Sequence, residues 1–313
     1  MKTYGWILCV AMAAAVAACG SRTGLLAPAS RDGAPAADAG DALPPIADVP
    51  DAPDTPGPCP DAGATLVYTI TVQSVLMSFY PITGTFTTIG TIACPTDPAD
   101  TPFSMAVDHT GVAYVAFNSG AVFRVSTLDA SCQATARVPP PGVFQSQFGM
   151  GFAANPGADA GDAGDGIETL YLAGNPSGTA GGAPIVLGAM NTTTFDSRAI
   201  AAVTPSIYGS ELTGTGGGQL FGFFETSPSG ATAAIGQIDR TTGQLTAMTD
   251  LPGVNIAGGW AFAFWGGEFY TFTAPAGSTV VTRFNPNDGS VVQVAQSSDE
   301  IVGAGVSTCA PQQ

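Results

Sequence analysis

From about Ala64 to the C-terminus, the apolar residues fall into short runs separated by turn residues, and the runs recur as a four-part unit. One part is an apolar stretch carrying an aromatic: TLVYTITV with Tyr68, GVAYVAF with Tyr114, ETLYLAG with Tyr171, GQLFGFF with Phe221 and GEFYTFT with Tyr270. A second apolar run follows each: SVLMSFY, AVFRVS, PIVLGAM, AAIGQID and TVVTRFN. Next comes a turn, clearest in FYPITGTF from Phe79, IDRTTGQL from Ile238 and FNPNDGSV from Phe284, where Gly supplies the positive φ of a hairpin. VSTLDASCQA from Val125 and AMNTTTFDSR from Ala189 fill the same slot without Gly. The fourth part precedes the aromatic run and is rich in small residues: FSMAV from Phe103, FGMGF from Phe148, ELTGT from Glu211, WAFAF from Trp260 and IVGAGV from Ile301.

Ordered as small-residue strand, aromatic strand, third strand, turn and outer strand, these parts make four complete units beginning near residues 103, 148, 211 and 260. A fifth is split: its last three strands lie in Ala64 to Ala93 and its first in Ile301 to Cys309. A unit shared between the two chain ends closes a ring. The pattern therefore predicts an all-β fold over residues 64–313, a five-bladed β-propeller whose radial repetition protects strand edges. A crowded axis accounts for Gly and Ala in the first strands, and the repeating aromatic would fill space between blades. A two-sheet sandwich, the rival architecture, gives no reason for the split unit.

The chain ahead of the repeats has a different character. MKTYGWILCVAMAAAVAAC has one Lys, an apolar run and small residues, which is the organisation of a secretory signal and too short for a stable span. Val16-Ala17-Ala18-Cys19 resembles the bacterial lipobox, which implies cleavage after residue 18 and lipid on Cys19, with the membrane as partner. Gly20 rather than Asp after the cysteine implies, by the same resemblance, the outer membrane of the cell envelope. Residues 19–63 are Ala, Pro, Asp and Gly without periodicity and are expected to be an extended, disordered tether. The repeats resemble the broad bacterial β-propeller superfamily with blade hairpins reading like D-P-x-T-G, and the whole chain resembles the β-propeller lipoproteins of GC-rich Gram-negative bacteria. Neither the WD dipeptide nor a kelch double glycine recurs, so the likeness concerns architecture.

Composition agrees. Only 10% of residues are charged, while Gly (41) and Pro (25) are abundant, as in a turn-rich β protein. The net charge of −16 repels phosphate backbones, so no nucleic-acid partner is expected. Lys2, the one lysine, falls in the segment expected to be removed.

Six cysteines occur. With Cys9 leaving in the signal and Cys19 lipidated, Cys59, Cys94, Cys132 and Cys309 remain, an even number in an exported chain. Position favours Cys59–Cys309, which would lock the ring closure, and Cys94–Cys132, which would join the outer strands of successive blades. There is no CxxC and one histidine, which argues against zinc.

Signals for chemistry are sparse. His109, in VDHTG between a first and a second strand, reads as a solvated turn residue, and no nucleophile elbow accompanies it. Glu211, opening a first strand, and Glu225, after a second, read as solvated surface acids; resemblance to five-bladed glycoside hydrolases with acidic residues in the funnel makes them the candidate catalytic residues of an alternative reading. In GADAGDAGDG, Asp159, Asp162 and Asp165 are candidate calcium ligands, but their spacing fits no EF-hand. A near-copy, ADAGDA, lies in the tether, so the tract reads as an acidic insertion and no metal or cofactor is expected. The functional expectation is a non-enzymatic binding module taking a glycan or protein on the propeller face. Its loops would be those after the second strands, such as residues 174–184 and 225–231, and those between blades. An extracellular glycan hydrolase or lyase, and a structural surface protein, are the alternatives.

Overall fold

The computed structural model describes residues 66–155, 167–175, 183–227 and 232–313. Cys19, Cys59, Asp159, Asp162 and Asp165 lie outside them, as do most of the two quoted loops. In chain order the strands are β1 (Val67–Thr71), β2 (Val75–Tyr80), β3 (Thr85–Thr91), β4 (Pro102–Val107), β5 (Val112–Phe117), β6 (Val122–Ser126) and β7 (Cys132–Ala134). Then follow β8 (Gly149–Ala154), β9 (Glu168–Gly174), β10 (Val186–Met190), β11 (Ser197–Ala202), β12 (Tyr208–Gly214), β13 (Leu220–Glu225), β14 (Ala233–Ile238) and β15 (Leu245–Asp250). The last are β16 (Gly259–Trp265), β17 (Glu268–Ala274), β18 (Thr279–Phe284), β19 (Val291–Ser297) and β20 (Ile301–Val306). No helix occurs among the described residues.

These strands form five antiparallel sheets of four, ordered β20-β1-β2-β3, β4 to β7, β8 to β11, β12 to β15 and β16 to β19. They are the first to fifth blades. Each inner strand packs on the next, β20 on β4, β4 on β8, β8 on β12, β12 on β16 and β16 back on β20, so the ring is closed. The protein is a five-bladed β-propeller whose first blade joins both ends of the repeat region.

Packing explains the repeat. Each recurring aromatic pairs across its blade with a small or short residue of the inner strand: Tyr68 with Gly305, Tyr114 with Ala106, Tyr171 with Gly151, Phe221 with Thr213 and Tyr270 with Ala263. Each then joins the apolar cluster between its blade and a neighbour; Tyr68 packs with Met105 and Val115, and Tyr171 with Leu212 and Phe224. At the inner-strand glycines the neighbouring blade leaves no room for a larger side chain. A Cβ on Gly151 would sit 2.8 Å from the Leu212 carbonyl carbon, and one on Gly214 would sit 2.2 Å from the Phe152 carbonyl oxygen. Fully buried Phe79, Phe223, Phe262 and Phe272 add about 1.5–3 kcal/mol each to the core.

The five turns before the outer strands share one geometry. The fifth residue donates its N–H to the first residue's carbonyl in each: Gly84 to Tyr80, Ala130 to Ser126, Phe195 to Asn191, Gly243 to Asp239 and Gly289 to Asn285. Their φ angles are 67, 60, 62, 71 and 72°. The left-handed conformation thus persists where Gly is missing. Phe195 is held in it by burial and by stacking on Tyr114.

A disulfide joins Cys94, just past β3, to Cys132 at the start of β7, tying the rims of the first two blades with a Cα–Cα distance of 5.2 Å. Cys309 is also disulfide-bonded.

Candidate ligand-binding site at the mouth of the propeller

The inner strands begin on one face, where the loops between blades and those after the second strands also converge. A cavity of about 410 Å³ opens there, within the range of small-ligand sites. Its walls come from the first, second, fourth and fifth blades. Phe103, Trp260 and Val302 stand at the starts of inner strands, Val72 and Asn118 follow second strands, Glu225 ends one, and Thr101, Ile256 and Glu300 lie between blades.

Irregular pairing places part of this lining. Pro102 pairs with Phe117 and Ser104 with Ala116, leaving Phe103 as an extra residue. In the same way Val302 is extra between Ile301, opposite Thr71, and Gly303, opposite Ile70. Bulges of this kind re-aim side chains next to functional sites, and both bulged residues line the cavity. Trp260 comes from the regular β16, opposite Thr273. Phe103 and Trp260 also border a smaller recess with Phe148, Asn175 and Ser210.

The two candidate catalytic carboxylates part company here. Glu225, the last residue of β13, lines the cavity, and partial burial raises its pKa above the ordinary carboxylate value. Glu211 does not open its strand as expected. Tyr208 and Ser210 already pair with Glu225 and Phe224, so Glu211 sits within β12 and is 1% exposed. Its Oε2 accepts a 2.7 Å hydrogen bond from Ser104 Oγ of β4, and Ser104 Oγ in turn accepts from Met150 N–H of β8. Three blades are thereby linked. Glu211 Oε1 has no partner among the described residues. Burial pushes its pKa well above the usual range, partly offset by Ser104 and the Met150 N–H.

The opposite face is closed differently, and one expectation fails there. His109 is half-buried and bonded rather than solvated. Its Nδ1 lies 2.9 Å and its N–H 2.8 Å from Glu168 Oε1, while Thr308 Oγ donates to Oε2 at 2.7 Å. The hydrogen bond to Glu168 raises the His109 pKa, against the effect of burial. Sequence reading missed this contact because Glu168 lies 59 residues away on the next blade. Beyond Thr308 the tail crosses this face: Gly266 donates to the Pro311 carbonyl at 2.8 Å. Cys309 Sγ, itself in a disulfide, lies 3.6 Å from the His109 carbonyl oxygen. No group of three or more His, Cys, Asp or Glu that could hold a metal occurs among the described residues.

Arg137, which sequence reading did not single out, is buried in the connection between the second and third blades. Its guanidinium donates to the carbonyls of Gly120, Phe144 and Phe195 and lies 5.0 Å from the Phe148 ring centroid. Burial without a carboxylate lowers its pKa to about 10.

No protein-family model matches the chain. No curated protein matches it in sequence. Solved structures resemble it at low identity. A chain of a nidogen/laminin complex is 10% identical, with 77% of this chain and 97% of that one covered and a TM-score of 0.44. A protein of unknown function from Bacteroides caccae is 9% identical, with 77% and 97% covered and a TM-score of 0.41. The class of protein defined by the fold is the five-bladed β-propeller, and that definition rests on the sheets themselves.

Proposed function

We propose that the protein is a ligand-binding module of the bacterial cell envelope, presented on residues 19–63 and anchored to the outer membrane by lipid on Cys19. The observation that carries the binding reading is the cavity at the mouth, where loops and bulged strands of several blades bring Phe103, Trp260 and Val302 together with Glu225, Glu300 and Asn118. Apolar walls with a few polar groups are the usual make-up of a small-molecule or side-chain pocket. Glycans and protein segments both suit such a surface.

Calorimetric titration of the mature protein against oligosaccharides and peptides tests this reading, with Trp260→Ala as the site control. Binding that Trp260→Ala abolishes supports it. A mouth inert to both panels overturns it and favours a structural surface role. The hydrolytic alternative draws on Glu225, whose raised pKa suits a general acid; product analysis of any bound glycan separates it from simple binding. For the anchor, Cys19→Ser is expected to move the protein from the membrane fraction to the soluble fraction. Retention in the membrane would overturn that part.

A further inference from the structure

Building on the binding reading above, we propose that the ligand of the mouth cavity is an organic cation: an ammonium or guanidinium group on an apolar stem. Five glutamates lie among the described residues. Three are partnered inside the fold: Glu168 with His109 and Thr308, Glu211 with Ser104, and Glu268 with Arg283 and Tyr270. Glu225 and Glu300 have no side-chain hydrogen bond or ion pair among the described residues, and both line the mouth cavity.

Among the described residues no Lys, Arg or His lines that cavity, so none of them gives its two carboxylates a counter-charge. Carboxylates brought partly out of water without a partner favour a cation entering from solution. Trp260 and Phe103 supply aromatic faces, which attract ammonium and guanidinium groups, and Val302 and Ile256 supply walls for a hydrocarbon stem. The chain's net charge of −16 attracts cations and repels anionic ligands. A metal ion fits less well. Calcium takes six to eight oxygens, whereas this lining is mainly apolar.

The test is calorimetry on the mature protein with four probes: spermidine, a lysine- and arginine-containing pentapeptide, the same peptide with its lysine acetylated and arginine replaced by citrulline, and a neutral oligosaccharide. The expected result is binding of spermidine, the basic peptide or both, weakened by added salt. Glu225→Gln and Glu300→Gln should each lower affinity about ten-fold, a conversion of roughly 1.4 kcal/mol, and the neutralised peptide should not bind. Preference between spermidine and the peptide identifies a free amine or a basic side chain as the source. The carboxylate-to-amide changes are nearly isosteric, and unchanged thermal melts confirm folding. Equal binding of the basic and neutralised peptides, or affinity unchanged in both Gln variants, overturns the inference. So does failure of both cationic probes. If the oligosaccharide binds in a Trp260-dependent manner while both cations fail, the cation inference falls and the binding reading stands.

Discussion

Glu211 shows how a single residue's place in a strand decides its chemistry. A carboxylate 1% exposed, with one oxygen bonded to Ser104 and the other without a partner among the described residues, is pushed towards its protonated form by burial. Its folded pKa is raised. The contribution of the protonated form is therefore complete below the unfolded value and is lost as pH rises towards the folded value. Glu211→Gln removes that loss. The variant is expected to melt higher than the parent at pH 8, by an amount corresponding to about 1–3 kcal/mol, with the difference vanishing near pH 4. Thermal melts at the two pH values check this, and a constant difference would contradict it. Arg137 is the opposite case, a buried cation whose partners are all carbonyls. Arg137→Met should strand those carbonyls and cost about 1–3 kcal/mol, measured by urea denaturation.

At the scale of elements, the inner strands are set by how closely neighbouring blades approach. Gly214→Ala would drive a methyl to within 2.2 Å of the Phe152 carbonyl oxygen, and backbone cannot move aside locally. Overpacking of this kind costs about 1–3 kcal/mol. Gly217→Ala, whose Cβ would meet only Thr215 Oγ at 3.6 Å, should be nearly neutral. A comparison of their denaturation midpoints tests the crowded axis directly; equal effects would refute it. The hairpin turns were legible from Gly84, Gly243 and Gly289, but Ala130 and Phe195 hold the same positive φ without that signal. Phe195 does so because Tyr114 and the Arg124 guanidinium, 5.5 Å from its ring, pin it from another blade. No local reading of AMNTTTFDSR contains that.

At the scale of the whole molecule, stability depends on how the ring is tied. Cys94–Cys132 spans 38 residues of sequence and joins neighbouring blades. Replacing both cysteines by serine should cost about 2–4 kcal/mol, read as a lower melting temperature under oxidising conditions only. On the far face, His109, Glu168 and Thr308 link the second and third blades to the C-terminal tail, with Asp108 also facing the imidazole. The His109 pKa is raised, so its stabilisation is complete below the unfolded value near 6.5 and is lost as pH rises through the higher folded value. His109→Ala should erase this component, worth about 1 kcal/mol for a pair whose imidazole is still partly exposed, and flatten the stability profile between pH 6 and 8.

The blade count, the strand order within blades and the split first blade were all legible in the chain. They rest on local periodicity, on small residues in one strand per unit and on one aromatic in the next, and each of these is a short-range signal. The Cys94–Cys132 pairing was legible too, because it follows from blade order. The mouth was less so. The sequence marked Glu225 but not its companions Trp260 and Phe103, on two other blades, and Glu300, in the connection between the fifth and first blades. Nor did it mark the bulges that make Phe103 and Val302 extra residues. Glu211 appeared equivalent to Glu225 until strand register buried one and left the other at the cavity. Repetition along the chain determines a propeller because every blade solves the same packing problem. What lies at its mouth was decided by tertiary structure alone, because register and ring closure bring together residues that no sequence interval relates.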